Sequence, residues 1–281
     1  MPWRLPFATS LKLRILILKM TILQKLFQKR ARFVLVSLGL GVALFGLSLP
    51  PYGQSLGWAL LFPVLTWILS FWAFGGLGGI EVLTIPLLPT LVSLGASLGQ
   101  YFYPNLSLPF KVLSWVAFSA AFYILLLAVN VFLVERQRGE KIPLEKAARP
   151  AAFLFAFLAA FLLLTALYKF SWDAYLTTFL VFWIGFLIGL TIFWFYSLTD
   201  LLERDQFLGA ASVGLLAVQV SLAFSFFPWK AHLRGLSEGV FFYTFLGVAR
   251  AYFGRHLTYA IVVEYILLSL SVFLAIRLLF A

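Results

Sequence analysis

From residue 33 onward the chain is a succession of apolar runs near bilayer length, with almost all of the charge lying between them. A helix needs about 20 apolar residues to cross hydrocarbon roughly 30 Å thick. A backbone in lipid must satisfy its own polar groups, which leaves helices or closed barrels. Hydrophobic residues make up 63% of the 281 and charged residues 11%, with a mean hydropathy of +1.02. Soluble domains carry about 45–50% apolar and about 25% charged residues. A soluble chain this apolar would have no surface to give to water. The fold class expected is all-α, a polytopic transmembrane helix bundle.

Nine spans are read, at about 33–49, 56–74, 80–100, 108–134, 150–168, 176–196, 207–227, 239–253 and 258–279. Eight is the alternative count, because 239–253 is short and contains Arg250; eight would place the C-terminus inside, nine outside. Pro50 and Pro51 end the first span, since proline cannot continue a helix that needs its N–H. Pro150 suits a helix first turn, where a missing N–H costs nothing. The long segment 108–134 should tilt or protrude.

The basic residues orient the bundle. Eight lie before the first span (Arg4, Lys12, Arg14, Lys19, Lys25, Lys29, Arg30 and Arg32), with no acid among them. Five more, Arg136, Arg138, Lys141, Lys146 and Arg149, sit in the loop 135–149. Four spans separate the clusters, so both fall on one side, which the positive-inside rule makes cytoplasmic. The opposite loops carry Tyr52, Tyr101, Tyr103, Tyr168, Trp172, Tyr175 and Trp229, the composition of an interfacial aromatic belt. The expected location is a bacterial plasma membrane, multi-pass, with a cytoplasmic N-terminus.

Residues 1–32 form a basic segment whose part 11–32 reads as an amphipathic helix on an anionic leaflet. Met20 opens MTILQKLFQKRARF, so residues 1–19 are alternatively a misplaced start. Residues 33–281 read as one transmembrane domain, because no loop is long enough to fold alone. The net charge of +11 is distributed as orientation charge, which points to anionic lipid on the cytoplasmic side and not to nucleic acid.

Charge inside a span is expensive and is a candidate site by default. Glu81 follows the run Gly75-Gly76-Leu77-Gly78-Gly79 and opens a helix expected to be broken by Pro86 and Pro89. It reads as a proton or cation site, or as an interfacial acid held by a helix N-terminus. Arg250 and Glu264 flank the last turn and are expected to meet across the hairpin, as a gate, a lipid-phosphate site or a structural pair. Trp229, Lys230 and Arg234 stand on the outer side as headgroup contacts or as interfacial anchors. Gly75 and Gly79, Gly95 and Gly99, and Gly185 and Gly189 match small-xxx-small spacing, which lets helices approach.

The chain has no Cys and only His232 and His256, so thiol chemistry and a thiolate or histidine metal cluster are excluded. It carries no HExxH, P-loop, GxSxG or dinucleotide fingerprint. No catalytic, cofactor-binding or metal-binding residue is assigned, and no cofactor is expected.

Three stretches carry a resemblance: Tyr101-Phe102-Tyr103-Pro104-Asn105-Leu106-Ser107, Phe122-Tyr123-Ile124-Leu125-Leu126-Leu127-Ala128-Val129-Asn130, and Val262-Val263-Glu264-Tyr265-Ile266. In this order the chain resembles an uncharacterised family of bacterial multi-pass membrane proteins, over most of its length after residue 33. The resemblance implies a bacterial membrane setting and transfers no site.

The function expected is a non-enzymatic protein that supports an envelope or membrane complex, with an unidentified membrane protein as partner. The alternative is a transporter or lipid-handling protein using Glu81 and an Arg250–Glu264 pair. An intramembrane enzyme has the least support.

Overall fold

The computed structural model describes residues 29–49, 55–139, 143–253 and 257–280. Residues 1–28 of the expected interfacial helix, Pro50 and Pro51, residues 140–142 of the basic loop, and the turn residues Arg255 and His256 lie outside the described residues.

The described residues form nine helices: α1 (Lys29–Leu47), α2 (Leu56–Phe74), α3 (Glu81–Phe102), α4 (Leu108–Arg138), α5 (Glu145–Phe170), α6 (Ala174–Ser197), α7 (Arg204–Phe224), α8 (Ala231–Phe253) and α9 (Tyr259–Phe280). All but α8 are long and apolar enough to cross a membrane. Helix α8 has the length, at 23 residues, but carries Arg234, Glu238 and Arg250. Its contacts nevertheless run the full depth of the bundle. Arg234, in its first turn, bonds to Ser221 near the end of α7, and Arg250, in its last turn, packs on Tyr196 near the end of α6.

The chain therefore alternates. One end, the basic end, gathers the starts of α1, α3 and α5 and the ends of α2, α4, α6 and α8. The other, the aromatic end, gathers the opposite termini. There Tyr101 and Phe102 of α3 pack on Phe170 of α5, which stacks on Trp172. Likewise Lys111 of α4 donates to the Ser48 carbonyl just past α1, at 2.7 Å.

Four sequence expectations change. The helix read as 239–253 begins at Ala231, because its polar first half is satisfied inside the bundle. Helix α5 begins at Glu145, so Pro150 lies in its interior and not in its first turn. Helix α3 runs through Pro86 and Pro89 without a break. Packing holds it: two-thirds (67%) of its most apolar window is buried. The carbonyls that proline leaves unpaired are tolerated in such a setting. Lastly, α1 starts at Lys29, so residues 29–32 belong to a span.

Helices α3 and α5 are central; α3 touches α2, α4, α5 and α6, and α5 touches α3, α4, α6 and α8. Hydroxyls on α3 turn inward, as Ser97 does in bonding the Ala59 carbonyl of α2 at 2.8 Å. Helix α9 is peripheral, with 11% of its window buried, and packs on α8. Helix α4, at 31 residues, is about 46 Å long and exceeds the hydrocarbon thickness. Gly139, left-handed at φ 67°, ends it, and its N–H bonds the Glu135 and Arg136 carbonyls.

Candidate functional site

Three clusters of charge hold Glu81, Arg250 and Arg234 of the candidate residues. The first ties the basic end together. Glu81 sits in the first turn of α3, where its Oε2 accepts from the Gly78 amide at 3.2 Å. The loop before it turns through left-handed Gly75, Gly76 and Gly79, conformations that glycine adopts without steric cost. Arg136, near the end of α4, reaches Glu81 at 3.3 Å and Asp200, after α6, at 3.1 Å. Its guanidinium also lies over the Trp194 ring. The side chain of Asp200 is 97% exposed, so that bridge adds little; the ion pair with Glu81 is largely buried.

The second cluster contains Arg250. Its guanidinium lies 4.8 Å from the Tyr196 ring centroid, and Arg149 lies 4.5 Å from the same ring. Arg149 is paired with Glu145, one turn back on α5. The expected Arg250–Glu264 pair is corrected: among the described residues no ion pair joins them, and Glu264 is exposed. The reason is helical phase. Thr244 of α8 bonds the Tyr265 carbonyl and the Ser269 hydroxyl, so α9 turns Tyr265 and Ser269 toward α8. Glu264 is one residue, and about 100° of helix rotation, away from that face.

The third cluster joins α5, α7 and α8 at the aromatic end. Arg234 donates through Nε to Glu238 at 2.8 Å, and through Nη2 to the Ser221 carbonyl at 2.7 Å. Tyr168 donates to the other oxygen of Glu238 and shares a 2.8 Å bond with the Ser221 hydroxyl. The Arg234 guanidinium stacks on the Tyr168 ring at 3.9 Å. Glu238 is 4% exposed and Ser221 is 3% exposed. A buried pair so fully bonded is stable as a unit; removal of one partner costs about 3–5 kcal/mol, because a lone ion is left behind.

This cluster forms one wall of a cavity of about 340 Å³. Arg234 and Ser221 reach it, as do Thr177 and Thr178 of α6, and Trp172 and Trp229 flank it. Glu238 does not line it, so the cavity meets the guanidinium and not the carboxylate that balances it. Of the three expected headgroup contacts, Trp229 and Arg234 are brought to this cavity, while Lys230 is exposed and does not line it. Tyr168, Ser221 and Glu238 were not among the site residues expected from sequence. One signal was present, since Arg234 and Glu238 are four apart and share a helix face.

No group of three or more His, Asp or Glu able to hold a metal ion occurs among the described residues. The cavity beside the third cluster presents charge, hydroxyls and indole rings.

A comparison with curated proteins and a comparison with solved structures each found no match. A family model, described as protein of unknown function (DUF5656), matches residues 76–279, from the glycine loop before α3 to the last turn of α9. All three charged clusters fall within that stretch. With well over half of its length matched, the chain belongs to this family of unknown function, DUF5656.

Proposed function

We propose that this is a non-enzymatic, multi-pass protein of a bacterial plasma membrane that holds the anionic headgroup of a lipid at the outer end of its bundle. In this reading the basic end is cytoplasmic, in keeping with the positive-inside rule, and the aromatic end faces outward. The supporting observation is the cavity walled by Arg234. A guanidinium, several hydroxyls and two indoles converge at the depth where headgroups lie, and the compensating acid is hidden behind the arginine.

The test uses purified protein and short-chain phosphatidylglycerol, with phosphatidylcholine of equal chain length as the control. The anionic lipid is expected to bind about tenfold more tightly, a difference of about 1.4 kcal/mol. The double variant Arg234→Gln with Glu238→Gln removes both charges without stranding either, and is expected to erase that preference while the protein stays folded. Equal binding of both lipids by the wild type ends this reading.

A second reading, support of a membrane complex, draws on α9. Its packing is confined largely to α8, and Leu267, Leu270, Leu274 and Leu278 are exposed. Cross-linking from α9 positions in intact membranes tests it; adducts with lipid alone would remove it. Transport through Glu81 has less support, because Arg136 and the Gly78 amide already hold its carboxylate.

A further inference from the structure

A second cavity, of about 600 Å³, opens between α3, α4 and α5 at the aromatic end. Its origin lies in the glycines of α3. At Gly95 the helices touch, since an added Cβ there would lie 2.6 Å from Leu162 Cβ. One turn later, at Gly99, an added Cβ would meet nothing within 4 Å. The helices thus diverge toward the aromatic end, and the cavity also reaches one turn past that contact, to Val92 and Leu158. The walls are apolar, with Phe118, Phe122 and Phe161 among them. The polar groups are Gln100, Tyr103, Ser114, Thr165, Lys169 and His232, with the Lys169 ammonium 4.7 Å from the Tyr103 ring centroid. Thr165 and Lys169 are one turn apart on α5 and share its face. No acid lines the cavity.

Two of these polar groups are unpartnered. Gln100 is 8% exposed and spends its amide on Ser114, at 3.2 Å, while its carbonyl oxygen is buried without a hydrogen bond. The Thr165 hydroxyl is likewise buried and unbonded. Buried polar groups are normally satisfied, so each orphan calls for a partner. The carbonyl requires a donor. The Thr165 hydroxyl lies against Gly235 of α8, so the Lys169 ammonium, over the Tyr103 ring, is the donor left for an anion.

We infer that this cavity binds a single-chain glycerophospholipid, its one acyl chain between α3, α4 and α5, its glycerol hydroxyl at Gln100 and its phosphate on Lys169. The volume falls within the roughly 300–1,000 Å³ of small-ligand sites, and a largely apolar lining matches a chain. The single chain is what a cavity of about 600 Å³ has room for.

The test uses the full-length protein in phosphatidylcholine nanodiscs, with isotope-labelled oleoyl lysophosphatidic acid as the probe. Oleoyl lysophosphatidylcholine serves as the zwitterionic control and dioleoyl phosphatidic acid as the two-chain control. Saturable binding at one probe per protein is expected, at least tenfold tighter than either control. Gly99→Leu fills the gap and should abolish it. Lys169→Gln should bring the anionic probe down to the level of lysophosphatidylcholine. Ala117→Leu, on the α4 wall, is a second blocker should Gly99→Leu fail to fold. The paired Arg234 and Glu238 variant should leave this binding unchanged, which separates the two sites. Non-saturating uptake, or binding that survives both blockers in folded protein, means bulk lipid only and overturns the inference. Equal affinity for the two-chain control overturns the single-chain assignment.

Discussion

Helices α6 and α3 each carry two glycines four residues apart, yet one seam is shut and the other opens. At Gly185 an added Cβ would lie 2.9 Å from the Gly214 Cα of α7, and at Gly189 one would lie 3.2 Å from the Ala210 Cα. Small residues face small residues, so the two backbones meet. On α3, Gly95 faces Leu162 and Gly99 faces empty space. Small-xxx-small spacing on one helix is therefore permission to approach. The partner helix decides whether the approach happens, because in lipid the gain comes from packing and not from expelling water.

That contrast can be broken at graded strength. Gly214→Leu should have the largest effect, since the first added carbon would already lie 2.8 Å from the Phe182 carbonyl oxygen. A loss of about 3 kcal/mol or more is expected, read as loss of a monodisperse peak in size-exclusion chromatography. Gly95→Ala should cost about 1–3 kcal/mol, because Leu162 must move as a unit; a lowered melting temperature in detergent would record it. Gly189→Ala is milder, at about 1 kcal/mol, since the Ala210 backbone needs to give only a few tenths of an ångström. Gly99→Ala should cost nothing and gain up to about 1 kcal/mol of helix propensity. If Gly99→Ala destabilises as much as Gly189→Ala, the two seams are alike and the cavity is closed in solution.

The charged clusters divide in a similar way between what a chain displays and what it hides. Glu81 was legible as a first-turn acid beside a glycine-rich turn. Its partner Arg136 lies 55 residues away, and nothing local links the two. Arg234 and Glu238 were legible as a helical pair only once α8 is known to start at Ala231. Their charge made the segment look like a loop on hydropathy, because hydropathy counts a polar group as if it met lipid. Here it meets Ser221 and Tyr168 instead. The Arg250–Glu264 expectation had the right depth and the wrong phase. Distance from a turn is readable along a sequence, but the rotation of α9 about its axis is set by Thr244 and Ser269.

The sequence by itself determined that the chain is a helical membrane bundle, that its helices alternate in direction and where most of them run. These follow from run length and from the obligation of backbone groups to bond within the segment in lipid. Tertiary structure alone decided that α3 survives two prolines, that α8 runs the depth of the bundle with three charges, and that α6 and α7 close while α3 and α5 part. Each of these depends on which side chains of distant helices meet, and no property of a single helix encodes its neighbour's face.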